Sequence, residues 1–354
     1  MLRVEIFNKF EESLLKIWNE FEDKNNLHFY SSLHWLQKCS ESFKNKKIII
    51  VVVFNDNKAV MIMPFQIKIR YHLKFLEWIG DEVVDFMGPI IDSRFDINKS
   101  DFIKLWSYLL KIIEKVDIIF LNKQLEVFNN KKNPFVFFLK NNFKENIYIV
   151  DINKKRNEYY FQRDEYFYRR KKFELKKLEF LNVKFTMDDK ISDSKEIFNF
   201  IYANKFINLS KKKIYFKDNL KVFYDSVLND FNFFKKIKSE LSLNVVRNKN
   251  NEIVAANLGI ICNNIFYYLI NSFDKKSSLS KYSPGMILLI KTLEKSFNKN
   301  YNEFNFGLGN EFYKKKWSNK TLDISTYFDF YTLSGFLFYT LYHLKKFFLN
   351  NRIK

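Results

Sequence analysis

The chain has 354 residues, of which 47% are hydrophobic and 19% aromatic, and it carries a formal net charge of +20. That apolar content excludes a disordered or collagen-like chain, and the length suits two domains or one large one. Two cysteines, Cys39 and Cys262, lie far apart in apolar contexts. They exclude a disulfide framework and a cysteine zinc site, and they suit a reducing cytoplasm.

The heavy use of Lys, Asn, Ile and Phe reads first as a coding bias. Lys is spread along the whole chain, and no nucleic-acid-binding motif accompanies it. Solvated faces, an anionic cofactor or the inner membrane leaflet are the other readings of the charge. The first dozen residues alternate charged and apolar side chains and lack the apolar core of a signal peptide. No apolar run reaches the ~18 residues that a spanning helix needs.

In chain order, residues 9–22 place Phe10, Leu14, Ile17, Trp18 and Phe21 at helical spacing. Ser31 and Ser32 are N-cap candidates for a helix bearing Trp35 and Leu36. Residues 46–54 and 59–69 form a hairpin across Asn55-Asp56-Asn57, and 73–79 is a further strand ending at Gly80. A helix over 97–116, a short strand over 117–121 and a strand over 146–151 complete the first half. Residues 154–181 read as one long basic helix with Arg163, Arg169, Arg170, Lys171, Lys172, Lys176 and Lys177.

A strand at 182–187 and helices at 193–209 and 217–231 follow. The hairpin 241–247/253–261 and the strand 265–273 lead to a helix at 285–297. The chain closes with a strand at 303–306, a short helix at 311–317, a strand at 323–330 and a helix at 334–350. The order is that of a mixed α/β fold whose unit occurs twice. The predicted boundary near residue 152 gives domains 1–152 and 153–354.

Scarce residues gather in the last third. The chain has only seven Gly and four Pro, yet Tyr282-Ser283-Pro284-Gly285-Met286 and Gly307-Leu308-Gly309-Asn310-Glu311 both lie there. Pro presets a helix start, Gly admits close approach to the backbone, and a helix N-terminus attracts an anion such as a pyrophosphate. Tyr282, Ser283, Gly285 and Met286 are therefore candidate cofactor contacts; the alternative is an ordinary Ser-Pro helix start. Glu311 and Asp274 are the carboxylates nearest these turns in sequence. Either serves as a general base toward an amine or hydroxyl, or Glu311 merely favours the helix that follows it.

Tyr313 is a candidate general acid and Lys314 a candidate phosphate ligand; Trp317 reads as core. In the first half Asp85 stands between apolar residues before Gly88-Pro89, as a catalytic carboxylate or a turn-forming Asp. The four His have no metal-site spacing, and no triad or nucleophile elbow is present.

On these residues the chain resembles acetyltransferases of the GNAT superfamily associated with cellulose and other exopolysaccharide biosynthesis, which carry two tandem GNAT-like units, as the Fem aminoacyltransferases do. The resemblance begins at Phe29-Tyr30-Ser31-Ser32-Leu33-His34-Trp35-Leu36. It continues through Pro64, through Ile79-Gly80 with Asp85-Phe86 and Pro89, and through Tyr168-Arg169-Arg170 with Leu178-Glu179. Its most specific part is Val254-Ala255-Ala256, Asp274, Ser283-Pro284-Gly285 and the run Gly309-Asn310-Glu311-Phe312-Tyr313-Lys314 with Trp317. The sequence departs from the pattern at Asn305 and Asn310, where Asp is frequent.

The resemblance implies two GNAT-like units and acetyl-CoA or another acyl-CoA as cosubstrate. It implies direct transfer to an amine or hydroxyl of a sugar or cell-envelope precursor, in the cytoplasm or at the inner membrane surface. A Fem-like transferase using aminoacyl-tRNA and an inactive binding module in polysaccharide assembly are the alternatives. The C-terminal helix, with Phe336, Leu337, Phe338, Leu341, Leu344, Phe347, Phe348, Lys345 and Lys346, carries more apolar residues than one stripe against a core needs. A peripheral membrane contact is the expectation it raises, beside burial in the core.

Overall fold

A computed structural model describes residues 2–25, 27–43, 46–80, 83–141, 143–153, 165–189, 191–206, 214–230 and 232–351. The elements begin β1 (Arg3–Phe7), α1 (Glu12–Lys24), α2 (Leu33–Ser42), β2 (Lys46–Asn55), β3 (Lys58–Arg70), β4 (Leu73–Trp78) and β5 (Ile90–Ile91). They continue α3 (Lys99–Ile112), β6 (Ile118–Leu125), β7 (Val127–Phe128), β8 (Lys131–Lys132), α4 (Pro134–Phe138) and β9 (Phe143–Asp151). Next come α5 (Glu165–Phe180), β10 (Lys184–Met187), α6 (Ser194–Phe206), α7 (Ile214–Leu228), α8 (Phe233–Lys236), β11 (Glu240–Arg247), β12 (Ile253–Cys262) and β13 (Ile265–Phe273). The last are α9 (Pro284–Asn298), β14 (Glu303–Leu308), α10 (Phe312–Trp317), β15 (Lys320–Phe330) and α11 (Leu333–Asn351).

The chain divides into two compact units, residues 1–145 with 323–354, and residues 146–322. In the first, strands run in the order β1-β2-β3-β4-β6-β15. β2 is a run of Ile and Val buried from Ile49 to Phe54, the composition of a central strand. It returns as β3 through Asp56 and Asn57, which adopt φ of 47° and 63°, the left-handed backbone that Asn and Asp tolerate best after Gly. Phe65 and Trp78 stack at 4.6 Å on one face, under Trp106 of α3 and Phe135 of α4. On the other face, Phe75, Ile118 and Phe328 pack beneath Phe338, Tyr339 and Tyr342 of α11.

Ser32 Oγ accepts Trp35 N–H at 3.2 Å and so is the cap of α2. The last strand and helix differ from expectation. β15 pairs antiparallel with β6, from Ile324↔Leu125 to Phe330↔Ile118, and α11 follows it onto the first unit. β6 needs a partner on the edge that β4 leaves open, and β15 supplies it; nearness in sequence to the second unit does not decide the pairing. β1, unforeseen although Val4 and Ile6 alternate with charged residues, pairs with β2. Of the long basic helix, residues 165–180 form α5 and residues 154–164 lie outside the described ones.

The second unit orders its strands β9-β14-β13-β12-β11-β10. All neighbours are antiparallel except β13 and β14. α9 lies on a core of Phe266, Tyr268, Phe304 and Phe306, with Leu178 of α5 and Trp317 of α10 in the same cluster. α6 packs on β12 and β13.

Beneath α9 the sheet also carries polar side chains. Asn257 Nδ2 donates to Thr292 Oγ1 at 3.1 Å, and Asn257 Oδ1 accepts from Asn244 Nδ2 at 2.8 Å. Asn244 Nδ2 reaches Ser242 Oγ at 3.2 Å, which donates to Asp188 at 2.8 Å; Lys295 of α9 closes the chain on both Ser242 and Asp188. Ser242, Asn244, Asn257 and Thr292 are fully buried. A connected network of this kind fixes one register of helix on sheet, because any other leaves buried donors unmade. The start of α9 is thereby fixed too.

Candidate functional site

β13 and β14 pair only over Ile265↔Glu303, Phe266↔Phe304 and Tyr267↔Asn305, while β13 runs on to Phe273. β14 turns away at this point. Its register with β9 shifts between Asn305 and Leu308, and Gly307 adopts φ of 68°. Buried Asn305 holds the bend, its Oδ1 accepting the Gly307 N–H at 2.8 Å. β13 has an irregularity of its own, opposite Leu258/Gly259. From Tyr268 onward, then, no pairing of β13 with β14 is found among the described residues.

Beyond Phe273 the chain enters a constrained turn. Asp274 N–H bonds Val254 O at 2.9 Å, and its carboxylate accepts Lys276 N–H at 2.8 Å. A 3₁₀ turn over Ser278–Tyr282 follows, and then Ser283 at φ 51°, ψ 50°, directly before Pro284. A non-glycine residue in the left-handed region costs about 1–2 kcal/mol, and a following Pro restricts it further. Such strain persists where the surroundings enforce it, typically at functional sites.

Here the enforcing group is Lys171 of α5, whose Nζ donates to Ser283 Oγ at 3.0 Å and to Glu174 at 2.5 Å. Lys171 and Glu174 are both buried. With its hydroxyl engaged there, Ser283 makes no side-chain cap on α9. Its carbonyl takes Met286 and Ile287 N–H, which leaves Gly285 N–H at the uncapped, positive end of the helix. The nearest atoms to a Cβ built on Gly285 are those of Phe273, from 3.4 Å, an ordinary contact. Packing within the fold does not demand glycine at 285.

On the far side of the bend, Gly309 has φ 122°, and a Cβ there would fall 2.2 Å from Glu311 Oε2. The Glu311 side chain can move aside, so it is the positive φ, which L side chains rarely adopt, that favours glycine here. Buried Lys314 turns inward, bonding Leu308 O and pairing with Glu311 at 3.2 Å. It pins the loop rather than reaching out as an extended phosphate ligand does. Glu311 is half exposed. Tyr313 packs edge-on to Phe306 at 6.1 Å, and its phenol is pushed well above the ordinary range, first by burial and then by the Glu311 charge. Tyr268 is pushed up likewise, by burial and then by Tyr313. Both stay protonated through neutral pH, the state a proton donor needs.

The predicted residues therefore form two groups on one unit: Tyr282, Ser283, Gly285 and Met286 at the start of α9, and Glu311, Tyr313 and Lys314 on and before α10. Tyr282, Met286 and Tyr313 all pack against the same core. Asp274 lines a cleft of about 850 Å³ with Lys205, Glu252, Lys275 and Lys276.

Asp85 lies in the first unit, where Tyr30 Oη donates to it at 3.4 Å. There β4 and β6 also pair in parallel only briefly, at Phe75↔Ile118 and Leu76↔Ile119. The chain itself fills the space beyond: Met87 bridges Gln124, Met87 N–H bonds Lys123 O at 2.8 Å, and Lys123 Nζ bonds Val84 O at 2.7 Å. Sequence reasoning placed Lys171 among the cations of the basic helix but missed its role, the strain at Ser283 and the role of Asn305. It could have singled out Tyr268, which strand alternation sets on one face with Phe266.

Residues 168–315 match the family model described as an acetyltransferase (GNAT) domain. In fold, the chain is similar to FemX, with TM-score 0.54 at 12% identity over 91% of this chain and 96% of that one. It is also similar to a tandem GNAT protein from the clavulanic acid biosynthesis pathway, with TM-score 0.51 at 5% identity over 92% and 98%. No match was found among curated proteins. The chain thus has a tandem GNAT-like fold, and the match of residues 168–315 to a GNAT acetyltransferase domain supports an acyltransferase.

Proposed function

We propose that the second unit moves an acetyl or other acyl group from CoA to an amine or hydroxyl of a sugar or cell-envelope precursor. The carrying observation is the released edge of β13 followed, through the turn at 274–283, by the uncapped start of α9. That edge suits the amides of a pantetheine arm, and Gly285 N–H with the helix dipole suits a pyrophosphate. The first unit has its corresponding space filled by residues 84–87, which favours the second as the transferring one.

In the reaction, the acceptor nitrogen or oxygen attacks the thioester carbonyl. Its proton goes to a carboxylate, Glu311 or Asp274, directly or through one water. A backbone N–H of the β13 edge stabilises the oxyanion. The carbon–sulfur bond then breaks, and Tyr313, kept neutral by its burial, protonates the departing sulfur. No covalent enzyme intermediate is needed. The acceptor class rests on the sequence resemblance to exopolysaccharide-associated acetyltransferases. The test is thiol release from acetyl-CoA and longer acyl-CoAs against a panel of amino sugars and nucleotide sugars. No turnover with any pair, despite CoA binding, counts against the reading.

One observation favours a second reading, transfer from aminoacyl-tRNA. α5 exposes Arg169, Arg170, Lys172, Lys176 and Lys177 beside Phe173 and Phe180, a basic face with aromatic side chains. Salt-sensitive tRNA binding without CoA binding would select it.

A further inference from the structure

We propose that the outer face of α11 is an interfacial anchor that lays the first unit on an anionic lipid bilayer. Between Leu333 and Leu344 this helix has no charged residue. Its inner face, Phe338, Tyr339, Tyr342 and His343, packs on Phe75, Phe143 and Phe328. The core is thus served by one side alone. The other side presents Leu333, Phe336, Leu337, Leu341 and Leu344 to solvent, at 78, 43, 57, 66 and 49% exposure. Beside them Tyr71, 79% exposed, stands against Phe338 at the tip of the β3–β4 hairpin. A contiguous apolar strip of this size on a folded chain marks an interaction surface.

Charge decides what covers it. Lys115 lies beside Asp117, whose carbonyl accepts Tyr331 N–H where α11 begins. Lys140 and Lys144 flank Phe143 near Tyr342 and His343, with Asp323 4.0 Å from Lys144 and Glu145 beside Tyr342, so the cations here are partly offset. Onward from Leu344 the sequence adds Lys345, Lys346, Arg352 and Lys354, and it holds no acidic residue after Asp329. A second copy docked face to face would bring these cations together, in a chain already at +20. A leaflet of anionic lipid pairs with them, and each lysine near its surface adds about 1 kcal/mol. The helix is not long and apolar enough to cross a membrane, so it lies in the interface.

The test is flotation of the full chain with vesicles of phosphatidylcholine alone and with about 30% phosphatidylglycerol, at low and high salt. The parent is expected to float with the anionic vesicles at low salt, with at least tenfold less bound to neutral ones. Leu337→Glu/Leu341→Glu, at exposed positions, should reduce binding at least tenfold while the thermal midpoint and thiol-release activity in solution stay unchanged. Equal flotation of parent and variant would overturn the proposal, as would no flotation of the parent. A lipid-free dimer of the parent that the double substitution makes monomeric would assign the face to a second copy instead.

Discussion

Lys171 Nζ and Ser283 Oγ lie 3.0 Å apart, across 112 residues of sequence, and this bond ties the basic helix α5 to the strained residue that begins α9. The helix that resembles a nucleic-acid-binding arm in composition is thus, on its buried side, a brace for the turn that begins α9. Its outward lysines and its inward one serve different ends.

Replacing Lys171 by Met leaves the Glu174 carboxylate buried with Arg170 as its remaining partner, at 3.2 Å. Removing one partner of a buried pair costs roughly 3–5 kcal/mol, and the remaining Arg170 bond sets the expectation near the low end. Lys171→Met/Glu174→Leu should recover most of that stability but not CoA affinity, because Ser283 stays unbraced. Urea unfolding paired with CoA titration separates the two effects.

Thr292→Val keeps shape but removes the hydroxyl that accepts from Asn257 and donates to Leu288 O at 2.8 Å. Leaving the buried Asn257 amide unmade should cost about 1–3 kcal/mol. Thr292→Ser should retain most of the stability. Equal denaturation midpoints for Val and Thr would remove the network from the account of how α9 is placed.

Much of this arrangement was legible in the residues. The Pro284 helix start, the glycines of the second bend and the strand at 265–273 each announce themselves through residue types with narrow conformational preferences. Ser32 was one of two cap candidates, and geometry chose it. The placement of β15 was not legible, because strand pairing is settled by which edge lacks a partner, a non-local matter. Nor was the brace at Lys171, since a lysine among many lysines shows nothing in sequence of which one is buried. Lys314 illustrates the reverse: its position matched a phosphate ligand, yet the tight loop at Gly309 turns it inward.

Two titrations should shape stability against pH. Burial drives the His28 imidazole from 6.5 down to about 3, so the folded chain holds it neutral while the unfolded chain takes a proton below ~6.5. The stability is present above ~6.5 and lost as pH falls, by up to about 1.4 kcal/mol per unit toward 3. His28→Gln should flatten this acid limb. At the alkaline end Tyr267, Tyr268 and Tyr313 are all raised by burial, so the unfolded chain loses its phenolic protons first and stability declines above ~10. Thermal midpoints across the range test both limbs.

Among the carboxylates, Glu311→Gln or Asp274→Asn should lower turnover by ~10²–10⁴ with CoA binding preserved, and Asp85→Asn should leave the chemical step in place. Tyr313→Phe should slow turnover without shifting CoA affinity. If Asp85→Asn alone abolishes turnover while every variant binds CoA, the base belongs to the first unit.

If the turn from Tyr282 to Met286 receives the cofactor, calorimetry of CoA with Gly285 variants will register it. The fold leaves ordinary room for a Cβ at 285, so Gly285→Ala and Gly285→Asp should both keep the parental thermal midpoint. CoA is expected to bind the parent, and Gly285→Asp to weaken binding by roughly a hundredfold or more, because side chain and charge oppose a pyrophosphate at that amide. Undiminished CoA affinity in a folded Gly285→Asp variant would contradict cofactor binding at this turn.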